Sequence, residues 1–154
     1  IMSLSFFFFF SLDIFSKEEK EKIVQTIRNA ECSTSGEIRV YIEGKCKYID
    51  PVERATEIFY NLQMQHTQDR NGVLLYVALR DRQIAIFGDE GIYKKTGKEY
   101  WEKLISDILS HFDRENFAIG ISECVRQIGE GLTHHFPYQT DDHNELPDEI
   151  VFGK

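Results

Sequence analysis

The chain has few residues that staple or interrupt a fold: three prolines, three cysteines and one tryptophan in 154 positions. Cys32, Cys46 and Cys124 contain no Cys-x-x-Cys pair, and an odd number cannot all pair within one chain. A disulfide framework or zinc ribbon therefore has no support, and a reducing, cytoplasmic compartment is expected. Positive charge is also scarce. Eighteen Lys and Arg stand against 26 Asp and Glu, giving a formal charge of -8 with no basic run, so a nucleic-acid backbone would be repelled. Neither Gly-x-Gly-x-x-Gly nor Gly-x-x-x-x-Gly-Lys occurs, which removes the phosphate-cradling loops of nucleotide enzymes. His-Glu-x-x-His is missing too, and the adjacent His134 and His135 are expected to diverge at a helix end, where they offset its dipole. The apolar stretch Phe6 to Phe10, with Leu4, Leu12 and Ile14, falls short of the roughly 20 residues that span a bilayer and lacks the basic flank of a signal peptide. Residues 1–14 read as a start-site or expression-derived extension, or as a segment that packs on the domain, and membrane insertion is not expected.

What is present suffices for one monomeric domain. The chain is 42% hydrophobic and 13% aromatic, long enough for one sizeable core and too short for two. Ser16 with Glu19 forms a capping box ahead of Ile23, Val24, Ile27 and Ala30. Asp50-Pro51 with Glu53 starts a second helix carrying Val52, Ala55, Phe59 and Leu62. Trp101, Leu104, Ile105, Ile108, Leu109 and Phe112 recur at helical steps, as do Phe117, Ile121, Val125, Ile128 and Leu132, which predicts a helical hairpin turning at 113–116. Cys124 falls on that apolar face. Cys46 lies between two lysines, which would lower its pKa without giving it a catalytic partner. The domain is drawn at 15–138, followed by an acidic, proline-punctuated tail over 139–154.

Residues 36–43 alternate Ile38, Val40 and Ile42 with polar neighbours, the pattern of a half-buried strand. Residues 72–79 are a continuous apolar run suited to the centre of a sheet covered on both faces. A strand, helix and strand in this order make a parallel pair with a right-handed crossover, so both strands start at the same edge. Arg80-Asp81-Arg82 then predicts a hairpin into residues 83–87, antiparallel to the second strand. By this topology the loops Thr34-Ser35-Gly36-Glu37, Asp69-Arg70-Asn71-Gly72 and Gly88-Asp89-Glu90-Gly91 converge at one sheet edge.

That convergence gathers oxygen donors. Hard divalent cations take carboxylate, amide and backbone oxygens from loops, and Glu37, Asp69, Asn71, Asp89 and Glu90 supply them here. The competing reading is that Asp69 and Asp89 cap turns and pair with Arg70 or Arg39. A second acidic group, Asp141, Asp142, Asn144, Glu145, Asp148 and Glu149, lacks the order of an EF-hand loop; it reads as a solvated tail or an auxiliary ion site. Arg70 would also match phosphate oxygens bidentately if a phosphate bound beside a metal.

The residue order resembles the TPM domain family, named for thylakoid-lumen, photosystem-assembly and receptor-modulator proteins. The resemblance rests on Ala30-Glu31 followed by residues 34–40, on Arg54-Ala55 and Phe59, on Thr67 leading into Arg70-Asn71-Gly72, and on residues 88–92. Trp101, Gly129, Leu132, Phe136-Pro137, Asp141-Asp142 and Asn144-Glu145-Leu146-Pro147 continue it. It implies an α/β fold, a three-layer Rossmann-like sandwich with a central mixed sheet flanked by helices. Many members of the family carry a signal peptide and a membrane anchor, whereas this sequence is read as a soluble bacterial member showing neither. The resemblance also implies divalent-metal binding, calcium first with magnesium as the alternative, which raises the ligand reading of Glu37, Asp69, Asn71, Asp89 and Glu90 above the capped-turn one. Two function classes follow: a non-catalytic module that regulates or docks on a protein partner, such as a membrane-associated complex, or a metal-dependent acid phosphatase acting on phosphomonoesters.

Overall fold

The computed structural model describes residues 15–113, 116–138 and 150–153. The extension over 1–14 and the acidic group at 141–149 lie outside the described residues. Element by element, the chain runs α1 (Lys17–Glu31), β1 (Glu37–Glu43), α2 (Pro51–Asn61), β2 (Gly72–Ala78), β3 (Gln83–Gly88), α3 (Glu90–Thr96), α4 (Lys98–Asp113), α5 (Phe117–His135) and β4 (Val151–Phe152).

Local chemistry sets the helix starts. Ser16 and Glu19 close the expected capping box, with Ser16 Oγ accepting from Glu19 N at 3.0 Å and Glu19 Oε1 accepting from Ser16 N at 2.8 Å. Asp50 caps α2 through Val52 N, and Pro51 opens its first turn, where no N–H is needed. One correction falls on the third loop: Asp89 is the N-cap of α3, and Glu90 is that helix's first residue. The helix ends at Gly97, whose φ of 81° suits glycine.

The sheet order is β3-β2-β1-β4. As expected, β1 and β2 are parallel, with Glu37 opposite Gly72, and β3 returns antiparallel beside β2, with Gly88 opposite Val73. A fourth strand was not anticipated. Val151 and Phe152, from the stretch read as tail, pair parallel to Tyr41 and Ile42. Only two residues long, β4 carries no periodicity for a sequence reading to detect.

Helices cover both faces of the sheet, making the α/β sandwich anticipated. Ile38, Val40, Ile42, Val73, Leu75 and Val77 pack with α1, α4 and α5 through Ile27, Trp101, Ile108, Ile121, Val125 and Leu132. Leu74, Tyr76, Ala78 and Ala85 pack on the other side with Ala55, Ile58 and Phe59 of α2 and with Met64. Cys124 is buried, as expected, and its thiol pKa is pushed up to about 12 by burial.

The half-buried reading of β1 fails. Its polar face is covered too, and Glu37, Arg39 and Glu43 are all buried. Alternation reports which residues share a face, but not whether charged residues find partners under a second layer. Glu43 finds them. Its carboxylate accepts Arg54 Nε at 2.9 Å and Nη2 at 3.0 Å, and Tyr76 donates its hydroxyl to the same group. Arg54 also bonds Glu57, which accepts the Tyr48 hydroxyl at 3.0 Å. Burial, followed by the hydrogen bond to Glu43, pushes the Tyr76 phenol far above its ordinary range.

A candidate cation edge where three loops meet

At the opposite end of β1 and β2 the three loops are tied by their backbones. Glu37 N donates to Asn71 O at 3.4 Å, Asp89 N to Gly72 O at 2.9 Å, and Gly91 N to Arg70 O at 2.8 Å. The first loop is fastened from beneath: Thr34 Oγ1 donates to the carbonyls of Leu132 and Phe136 at the end of α5 and accepts Gly36 N at 3.0 Å. In the second loop Thr67 is the anchor, its Oγ1 accepting Asn71 N at 3.3 Å and its carbonyl accepting Arg70 N. Sequence reasoning assigned Thr67 no such role. The sign available was a hydroxyl residue four positions before a loop amide that must be buried.

The five sequence-derived donors do not stand alike. Glu37, Asn71 and Asp89 are buried, whereas Asp69 and Glu90 are exposed. Asn71 Nδ2 donates to Ser35 Oγ at 3.2 Å, bridging the first two loops, but its Oδ1 is buried with no hydrogen-bond partner. Asp89, at 2% side-chain exposure, is held by Arg70 Nε on Oδ2 at 2.7 Å and by Nη2 on Oδ1 at 2.9 Å. Oδ1 also caps Glu90 N at 2.8 Å, and Arg70 Nη1 lies 3.2 Å from Glu90 Oε1. The hydrogen bonds to Asp89 hold the Arg70 guanidinium above its ordinary pKa. The capped-turn reading of Asp89, with Arg70 as partner, is thus realised. Among the described residues, no three His, Cys, Asp or Glu side chains are gathered closely enough to hold a metal.

By donor type alone, the set is of the kind a hard cation takes. Buried carboxylates, a buried amide oxygen lacking a donor, and loop carbonyls are the ligand types that calcium and magnesium take. A buried acceptor without a partner costs roughly 1–3 kcal/mol, and a cation would satisfy it. Other features do not compete for the role. His134 and His135 close α5 with ring centroids 4.7 Å apart, edge to face, so they touch where divergence was expected. A cleft of about 470 Å³ lined by Glu18, Lys22, Ile119, Ser122 and Arg126 shares no residue with the loop edge.

A small mixed sheet between helices, with three loops bound together at the starts of its parallel strands, defines an α/β domain of the sandwich type. The chain belongs to the TPM domain family, whose sequence model matches residues 11–131. Among solved structures it is similar to the BA42 protein of the psychrophilic bacterium Bizionia argentinensis, determined by NMR. That match has 40% identity and a TM-score of 0.83 over 90% of this chain and 95% of that one. Two more distant NMR structures share the fold. The N-terminal domain of a P. gingivalis protein has 20% identity and a TM-score of 0.63, covering 82% of this chain and 83% of that one. The N-terminal domain of a Corynebacterium glutamicum protein has 15% identity and a TM-score of 0.60, covering 77% and 74%. No curated protein sequence matches. Among the described residues, no helix is long and apolar enough to cross a membrane.

Proposed function

We propose that the three-loop edge binds a divalent cation, calcium or magnesium, through Asp89 and Asn71 with Glu37, Asp69 and Glu90 contributing. In this reading the domain is a non-catalytic module, monomeric and cytoplasmic, whose loop edge is ordered by the ion for docking on a protein partner. A membrane-associated complex is the partner class carried over from the family. The observation that supports it most is Asn71 Oδ1, buried and lacking a donor in the loop whose next residue, Gly72, accepts the backbone N–H of the buried Asp89. Three free cysteines support a reducing compartment.

Calorimetric titration of the chain with calcium, with potassium at matched ionic strength as control, tests the reading. Asp89→Ala is expected to abolish most of the heat, Glu37→Ala and Asp69→Ala to weaken it, and Asp141→Asn with Asp142→Asn to leave it unchanged. Titration of the Asp89 variant like the parent, together with loss of binding in the Asp141→Asn, Asp142→Asn variant, would assign the ion to the acidic tail. The other function class, a metal-dependent acid phosphatase, predicts calcium- or magnesium-dependent turnover of a phosphomonoester that is lost in Asp89→Ala. Absence of turnover with intact binding favours the non-catalytic module.

A further inference from the structure

The way Arg70 holds the proposed ligands points to regulation of the same edge, and this step rests on the divalent-cation reading above. We propose that Arg70 is a built-in competitor for the cation, and that an ion binds by displacing its guanidinium from Asp89.

Asp89 is buried and takes both of its principal charge-assisted bonds from Arg70, at 2.7 and 2.9 Å. The third arm of the same fork reaches Glu90. Arg70 therefore occupies two of the five candidate ligands at once. A divalent ion needs those same oxygens, and two cationic groups cannot share them without strong repulsion at this separation.

The exchange has room to occur. Backbone bonds from Arg70 N to Thr67 O and from Gly91 N to Arg70 O pin the residue, yet its side chain is 37% exposed. The guanidinium can rotate toward water while the loop stays in place. The arginine-held state leaves one group unmet. With Arg70 on Asp89, the Asn71 oxygen next in sequence has no donor, and the Arg70 guanidinium bonds run to Asp89 and Glu90 instead. An ion on Asp89 and Asn71 would satisfy the orphan oxygen and release the arginine. When only a fraction of the protein is binding-competent, apparent affinity falls by that fraction. If the ion-accessible form is about one tenth of the population, removing Arg70 tightens binding about tenfold.

The test is calcium calorimetry on the full chain with the parent, Arg70→Ala and Arg70→Lys. Arg70→Ala is expected to bind about tenfold tighter, and Arg70→Lys, which keeps the charge but loses the fork, to fall between. Because Arg70→Ala strands a buried carboxylate, its Tm is expected to be lower without calcium and to rise more on calcium addition than the parent's. A merely structural arginine would give the lower Tm without the larger rise. Should Arg70→Ala not fold, the Arg70 Nε–H signal of the parent decides, exchanging slowly without calcium and rapidly at saturation. Unchanged or weaker affinity in Arg70→Ala, or an Nε–H that stays protected at saturating calcium, overturns the competition while leaving the cation site standing. No calcium heat in the parent or in either variant overturns the cation reading itself.

Discussion

Gly91 lies so close to Asp69 that a Cβ on it would stand 2.1 Å from the Asp69 carbonyl oxygen and 2.6 Å from that of Arg70. The contact locks the start of α3 against the loop before β2, and no side chain fits between them. Gly91→Ala is expected to lower stability by about 1–3 kcal/mol, the usual range for overpacking, since the obstructing atoms are backbone. Urea unfolding measures the loss. The same variant should weaken any calcium response, because the loops must part to admit the methyl group.

The buried ion pair at the Glu43 end of β1 is expected to be worth more than a surface cluster. Arg54→Ala removes both guanidinium bonds to Glu43, a carboxylate at 2% side-chain exposure, and should cost about 3 kcal/mol. Arg126 pairs with Glu123 and Glu130 at the surface, so Arg126→Ala should cost under about 1 kcal/mol. Denaturant midpoints of the two variants, measured side by side, check the ranking. Equal losses would mean that Glu43 finds another partner when Arg54 is gone.

Acid stability should carry the signature of Glu57. The Arg54 hydrogen bond holds its carboxyl below the ordinary 4.5, so the folded state binds the proton less readily than the unfolded chain. The contribution is fully present above pH 4.5 and is lost as pH falls through the lower folded value. In Arg54→Ala the slope of stability against pH below 4.5 should flatten. At the alkaline end the sign reverses for Tyr48, whose phenol is raised above 10.0 mainly by its hydrogen bond to Glu57. That contribution is present below pH 10.0 and disappears as pH rises through the folded value. Thermal melts across pH 3 to 11 test both limbs.

Phe152 is buried in the core that covers the β1 apolar face, and Gly153 N donates to Ile42 O at 2.9 Å. Phe152→Ala is expected to cost about 3 kcal/mol, as for other buried aromatics, while leaving cation affinity unchanged. A melting midpoint equal to the parent's would show that β4 adds nothing to the fold in solution.

The first three strands were legible because Ile38, Val40 and Ile42 alternate and residues 72–79 are unbroken, and the order of apolar run, polar connection and apolar run forces a return. The loop convergence followed from topology alone. What stayed hidden depended on distant partners. Glu43 looked solvent-facing because Arg54 and Tyr76, which satisfy it, come from other elements. The sequence places Asp89 on a loop, as a ligand or a turn cap, and not at a helix start, because α3 buries only Ile92 and so has almost no apolar pattern to reveal it as a helix. The unpartnered oxygen of Asn71 is a property of packing, and no residue pattern encodes it.

The pairing of β4 with β1 also imposes an order on synthesis. β1 closes at Glu43, but the strand that covers its outer edge begins at Val151. At roughly 5–20 residues per second, the ribosome delivers that partner about 5–20 s after β1 has been made. During that wait β1, β2 and β3 can already pair, leaving the backbone at Tyr41 and Ile42 as an open template on the nascent chain. A chaperone that shields strand edges would therefore find its substrate here late in translation and lose it once Phe152 emerges.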